Sequence, residues 1–202
     1  MKTNVSPLIR VESALDEAAL ALAALRKSAS TLQEVARAAT LLSERLQQGS
    51  RVYSCGNGGS MCDAMHFAEE LSGKFRKERA ALGAMAISDA AHLSCTANDF
   101  GYEAVFSRFV EGHGRAGDVL FGISTSGKSP NILKAADAAK QKGMHVIALT
   151  GKPGSLLAAK ADIEICCPGG NFSDRVQELH IKVIHILIEC VEADLFGDAQ
   201  TK

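Results

Sequence analysis

Apolar and polar positions follow two different rhythms along this chain, and the change falls near residue 49. From Val11 to about Lys27, Ala and Leu recur at helical spacing, and a second helical pattern runs from Leu32 to Gln48, ending near Gly49. Beyond it short apolar runs take over. Arg51 to Cys55, Ala84 to Ser88, Val119 to Ile123, His145 to Thr150 and Ile163 to Cys167 read as five buried strands with amphipathic helical stretches between them. This alternation predicts an α/β fold, a three-layer doubly wound sandwich with a five-stranded parallel sheet, preceded by an N-terminal helical pair. Residues 1–49 are expected to be helices serving oligomerisation, and residues 50–202 a single ligand-binding unit. If the strand order is flavodoxin-like 2-1-3-4-5, strands one and three are neighbours at the switch point where such sheets bind ligands. The last helix should run from Asp174 to about Phe196, with Ser173 as its N-cap and Gly197 just past its end. In the leading pair Leu20, Leu22 and Leu25 make an apolar face that needs a partner, either the sandwich or another subunit.

Bulk properties narrow the function. With 202 residues and 47% hydrophobic content the chain can bury a sizeable core. Its 22 basic and 23 acidic residues leave a net charge of −1, without long blocks of one sign. That gives no field to gather nucleic acid or an anionic membrane, so a small anion has to be caught locally. Residues 1–10 lack the apolar core of a signal peptide, and no run approaches the roughly 20 apolar residues of a membrane span, so a cytoplasmic protein is expected. Six cysteines lie in predicted strands and helices without a CxxC pair, which suggests reduced, mostly buried thiols.

Two loops carry the candidate chemistry. Ser54-Cys-Gly-Asn-Gly-Gly-Ser60 and Ser124-Thr-Ser-Gly-Lys-Ser129 each follow a predicted strand and precede a helical pattern. Backbone N–H groups and hydroxyls then converge on one spot, the geometry that holds a phosphate. Two familiar motifs mislead here. Gly56, Gly58 and Gly59 approach the dinucleotide fingerprint, but its third glycine would fall at Met61. Gly122 to Ser129 satisfies the P-loop pattern letter for letter. Yet that loop follows the third strand, and Pro130 suits the first residue of a helix capped by Ser129. Ser124, Thr125, Ser126 and Ser129 are left to donate hydroxyls to a phosphate. An ordinary Ser/Gly turn is the bland alternative.

His66 and Glu70 stand four apart on a predicted helix and could share a metal, with Glu69 near the same face; a surface pair would show the same spacing. His185 sits in the apolar run Val183 to Ile188, where an imidazole needs a partner, whether a core carbonyl or a site. Gln177, His180 and His185 share the last helix, but Gln177 and His185 are about 12 Å apart along its axis. Both reach one metal only by leaning together or from different chains.

The two loops, the segments 63–71, 97–101 and 122–127, and Gln177 to His185 together resemble the bacterial phosphoheptose isomerases of the sugar isomerase (SIS) family. The resemblance implies an aldose-ketose isomerase converting sedoheptulose 7-phosphate to D-glycero-D-manno-heptose 7-phosphate, at the head of the route to the heptose of lipopolysaccharide or related glycans. It also implies a homotetramer with one zinc per subunit. Carried onto matching positions, the metal ligands would be His66, Glu70, Gln177 and His185, with Glu70 as base and His185 as acid. Substrate contacts would come from Asn57, Gly58, Gly59, Glu70, Asn98, Asp99, Ser124, Thr125, Ser126, Ser129 and Gln177. Lys128 stands where relatives often carry a small polar residue. The alternatives are a non-enzymatic sister that binds the replication initiator, in which the acidic metal position is typically lost, and a P-loop phosphotransferase.

Overall fold

The structure is a computed structural model and describes residues 6–170 and 172–197. Two leading helices, α1 (Pro7–Lys27) and α2 (Ala29–Gln47), precede the alternating segment. That segment runs β1 (Val52–Cys55), α3 (Gly59–Ser72), β2 (Ala84–Ala86), α4 (Ala90–Phe100), α5 (Val105–His113), β3 (Val119–Ser124), α6 (Pro130–Gln141), β4 (His145–Thr150), β5 (Ile163–Cys166) and α7 (Ser173–Phe196). All five strands are parallel, as expected, and their order β2-β1-β3-β4-β5 is the flavodoxin-like one on which the switch-point reading is conditional.

Boundaries move where capping chemistry outweighs periodicity. Helix α1 begins four residues earlier than the Ala/Leu pattern suggests, because the Ser6 side chain accepts from Ile9 N–H and Pro7 takes the first helical position. Helix α7 starts at Ser173 rather than being capped by it, and Phe172 holds the cap position. Gly197 ends α7 with φ 78°.

Side chains on the central strands alternate between two cores, as the two-residue period of a strand requires. Val119, Phe121 and Ile123 of β3 join Ile147 and Leu149 of β4 on the face covered by α2, α3 and α7. Leu120 and Val146 point the other way, to Phe106, Phe109 and Ile132 under α5 and α6. The leading pair divides in its loyalties. Helix α2 buries Val35, Leu42 and Leu46 against the sandwich, whereas α1 buries Leu25 and leaves Leu8, Ile9, Val11, Leu15 and Leu20 more than half exposed. No helix among the described residues is long and apolar enough to cross a membrane. All six cysteines are free; Cys55 and Cys167 are buried, while Cys62 and Cys95 lie exposed, so burial of the thiols is less general than expected.

The core histidine is His180, not His185. His180 is fully buried on α7, and its Nε2 lies 3.1 Å from the carbonyl of Thr150 at the end of β4. That carbonyl can only accept, so Nε2 carries the proton. Burial drives the His180 pKa from the usual 6.5 down to about 4, against the hydrogen bond to Thr150. Between those values the unfolded chain binds a proton that the folded one refuses, so stability is intact above pH 6.5 and falls as pH drops toward 4. Urea unfolding at fixed protein concentration should therefore lose about 2 kcal/mol between pH 7.5 and 5 through this one group. His180→Gln should lack that part of the pH dependence; equal acid losses in both proteins would contradict it.

Candidate active site

In a parallel sheet each crossover helix starts at the carboxyl ends of the strands and runs back toward the amino ends. The turns after β1, β3, β4 and β5 therefore share one edge. At that edge Gly58 takes φ 56°, a left-handed conformation that favours glycine, and Gly59 opens α3. A Cβ on Gly59 would lie 2.8 Å from Gln177 Nε2, so its bareness admits the Gln177 side chain. Asn57 is fixed by neighbours the sequence did not single out. Its Nδ2 donates to Asn131 Oδ1 at 3.0 Å, and its Oδ1 accepts from Asn131 Nδ2 at 2.8 Å and from Tyr102 Oη at 3.1 Å. Those bonds use both lone pairs and one N–H, so the second N–H is what Asn57 can offer a ligand.

The turn after β3 is equally ordered. Ser124 Oγ accepts from Gly127 N–H at 3.1 Å and lies 3.2 Å from Ser129 Oγ, while Ser126 Oγ accepts from Lys128 N–H at 3.2 Å. Ser129 stands at the N-cap of α6 as expected, but its hydroxyl faces Ser124 instead of making a side-chain cap bond. Gly151 N–H donates to Thr125 O at 3.0 Å, joining this turn to the one after β4. A crevice of about 340 Å³ opens between them, lined by Thr125, Ser126, Lys152, Phe172, Ser173 and Val176 among others. The start of α7, which has no side-chain cap bond, faces it, and Lys152, which the sequence reading did not single out, adds a cation. Asn98 and Asp99 are exposed at the end of α4, where Asn98 Nδ2 donates to Asp99 Oδ1 at 2.8 Å. Tyr102, three residues past Asp99, ties that segment to Asn57.

A second group of side chains lies farther along α3. His66 Nε2 is 2.8 Å from His185 Nε2 and 3.6 Å from Glu70 Oε1. On the other ring nitrogen, Nδ1 is 3.1 Å from Glu69 Oε1. The adjacent acids thus do different things: Glu69, 64% exposed, orients the ring, and Glu70, 18% exposed, shares the inner side with the two Nε2 atoms. One turn before His66, burial lifts the Asp63 carboxyl to about 6, although His66 pulls it down. His185 is half-buried and faces His66 across a 5.1 Å ring separation.

Gln177 meets α3 at a different level. It lies beside Gly59, as His185 lies beside His66, so α3 and α7 run in the same direction and the two contacts are about 10 to 12 Å apart. Glu70 stands eleven residues past Gly59, about 16 Å along α3. One chain therefore carries two places, a crevice of hydroxyls and N–H groups at the sheet edge and a His66, Glu70, His185 cluster deeper along the helices.

The cluster suits a metal by its donor chemistry. Two imidazole nitrogens and a carboxylate form the set that catalytic zinc uses, with room for a further ligand. Zinc at about 2.0 to 2.1 Å from each nitrogen in tetrahedral geometry would hold them about 3.3 Å apart, half an ångström beyond their present separation. His66, Glu69 and Glu70 also offer ligand atoms within 4.8 Å of one another.

Comparison with known proteins agrees with this architecture. Residues 16–151 match the model of the SIS domain family. The chain is 57% identical over 185 residues to the phosphoheptose isomerase of Yersinia pestis (strain Pestoides F), covering 92% of this chain and 96% of that protein. It is 56% identical over 188 residues to that of Enterobacter sp. (strain 638), covering 93% and 97%. Among solved structures, the phosphoheptose isomerase of Neisseria gonorrhoeae superposes with a TM-score of 0.86 at 38% identity, over 93% of this chain and 100% of that one. The enzyme from Francisella tularensis gives 0.87 at 32%, over 93% and 98%. With two phosphate-type turns at one sheet edge, a His/Glu/His cluster on α3 and α7, and this identity over nearly its whole length, the chain belongs to the phosphoheptose isomerase family of SIS-domain proteins.

Proposed function

We propose that this enzyme interconverts sedoheptulose 7-phosphate and D-glycero-D-manno-heptose 7-phosphate as a zinc-dependent cytoplasmic homotetramer, supplying heptose for lipopolysaccharide or related glycans. The observation that carries the reading is the pairing of an anion-binding edge with the separate His66, Glu70, His185 cluster in a chain so similar to phosphoheptose isomerases. A P-loop role fits less well, since the loop after β3 enters α6 through Pro130 and Lys128 is exposed.

The phosphate takes hydroxyls from Ser124, Thr125, Ser126 and Ser129, with N–H groups at the starts of α6 and α7. Asn57, Gly58, Gly59, Asn98, Asp99 and Gln177 orient the sugar. Moving the carbonyl from C2 to C1 requires a proton to leave C1 and one to return to C2 through a cis-enediol. Glu70 makes both transfers on one face, while His185 exchanges protons with the two oxygens. Zinc held by His66, Glu70, His185 and Gln177 would supply Lewis-acid polarisation of the substrate oxygens.

Helix rise favours a second chain. A seven-carbon phosphate spans about 10 Å from C1 to phosphorus at about 1.5 Å per bond. That is shorter than the about 16 Å of helix rise that separates Gly59 from Glu70 along α3. The working site then combines the phosphate edge and Gln177 of one chain with His66, Glu70 and His185 of a neighbour. The exposed leucines of α1 supply apolar surface for such an assembly, consistent with residues 1–49 as the oligomerisation segment.

Glu70→Gln should lower kcat about 10²- to 10⁴-fold while inorganic phosphate still competes as well as in the parent. Glu69→Gln keeps an acceptor at His66 Nδ1 and should lose far less; equal effects would contradict the division of roles. Ser124→Ala and Ser126→Ala should act chiefly on KM, about 1 to 3 kcal/mol each, and unphosphorylated sedoheptulose should be a very poor substrate. Comparable turnover of the free sugar would remove the phosphate role. Inactive Glu70→Gln and Gln177→Leu chains, unfolded and refolded together, should regain activity, whereas Glu70→Gln with His185→Gln should not. A silent first mixture would mean that one chain supplies the whole site.

A further inference from the structure

The last carbonyls of a helix have no partner within it, and in α3 these include the carbonyl of Glu70. A single guanidinium meets two of them and two carbonyls beyond the helix. Arg79 Nη2 donates to Glu70 O at 2.7 Å, and Nη1 to Leu71 O at 2.7 Å, Gly73 O at 3.0 Å and Ala80 O at 3.1 Å. Its Nε donates to Glu192 Oε1 at 2.9 Å, and the other oxygen of Glu192 accepts from Arg76 N–H at 3.2 Å. Both side chains are out of water, at 1% and 4% exposure.

Stability alone is a poor reason for such a pair, because removing two charges from water costs several kcal/mol and an apolar pair of similar volume often does as well. Direction is what an apolar pair cannot supply. The planar fork fixes where the last turn of α3 ends relative to α7. Glu192 stands seven residues, two turns, beyond His185 on α7, so the clamp joins the two helices that carry Glu70 and His185.

We infer that Arg79 and Glu192 are positioning residues of the isomerisation, holding the Glu70 backbone in register with His185; the inference rests on the isomerase reading above. Neither residue touches the crevice at the phosphate edge, which is built from the turns after β3 and β4 and the start of α7. Their loss should therefore separate turnover from phosphate binding. Lysine at position 79 keeps the charge but cannot span the Glu70 carbonyl and Glu192 together.

The test is steady-state kinetics of Arg79→Lys and Glu192→Gln beside the parent, with inorganic phosphate as competitive inhibitor and circular dichroism as the check on folding. In Arg79→Lys kcat should fall about tenfold to a hundredfold while the inhibition constant of phosphate stays within about twofold. Glu192→Gln, which keeps an acceptor for Nε, should shift in the same direction by less. A kcat within about threefold of the parent for Arg79→Lys would overturn the inference, as would a parallel weakening of turnover and phosphate inhibition. Failure of both variants to fold would make the pair a folding element and overturn it as well. A parent that does not turn over sedoheptulose 7-phosphate would instead remove the isomerase reading itself.

Discussion

A helix rises about 1.5 Å per residue, and that rise along α3 governs how this protein can work. The N-terminus of α3 lies at the carboxyl edge of the sheet because every strand is parallel and every crossover must return. Its first residues thus face the anion site, while His66 and Glu70, seven and eleven residues on, are carried away from it. Helix α7 runs alongside in the same direction and repeats the separation, with Gln177 near the edge and His185 deep. The turns at the sheet edge and the His66, Glu70, His185 cluster are therefore spatially divided within each chain. On the reading proposed above, assembly of subunits brings the two within reach of a substrate about 10 Å long.

Local order at each place comes from polar groups that spend their hydrogen bonds on one another. Asn57 is locked by Asn131 and Tyr102, and Ser124 by Gly127 and Ser129, so the turns at the sheet edge are organised by the chain itself. In the cluster, Glu69 on Nδ1 of His66 fixes which nitrogen faces His185 and Glu70. Beneath the edge, the neutral His180 supports the Thr150 carbonyl, one residue before the Gly151 N–H that holds Thr125. Each of these is a positional device whose polar atoms would be costly to leave unpaired.

Much of the fold was legible in the sequence. The five apolar runs are the five strands, whereas the order 2-1-3-4-5 entered only as a condition that the structure meets. What periodicity could not supply was set by capping and by distant packing. Ser6 and Pro7 lengthened α1, and Phe172 displaced Ser173 from the cap of α7. The two histidines of α7 were harder to separate, because each is surrounded by apolar letters. His180 turned out to be the buried one and His185 the half-buried one, a distinction that depends on which face meets β4. Asn131, Tyr102, Lys152, Arg79 and Glu192 left no local signal, since Asn57 lies 74 residues from Asn131 and 45 from Tyr102, Glu192 lies 113 from Arg79, and Lys152 meets the crevice from another strand's turn.

The division between an anion edge and a proton-transfer cluster is tested most directly by a crystal structure of the zinc-loaded enzyme with sedoheptulose 7-phosphate bound. The quantity to read is which chain supplies each end of the substrate. Phosphorus should lie on Ser124, Ser126 and Ser129 of one chain, with C1 and C2 beside Glu70 and His185 of a neighbour, and a metal about 10 Å or less from the phosphorus. Phosphate and reacting carbons held by residues of a single chain would contradict it.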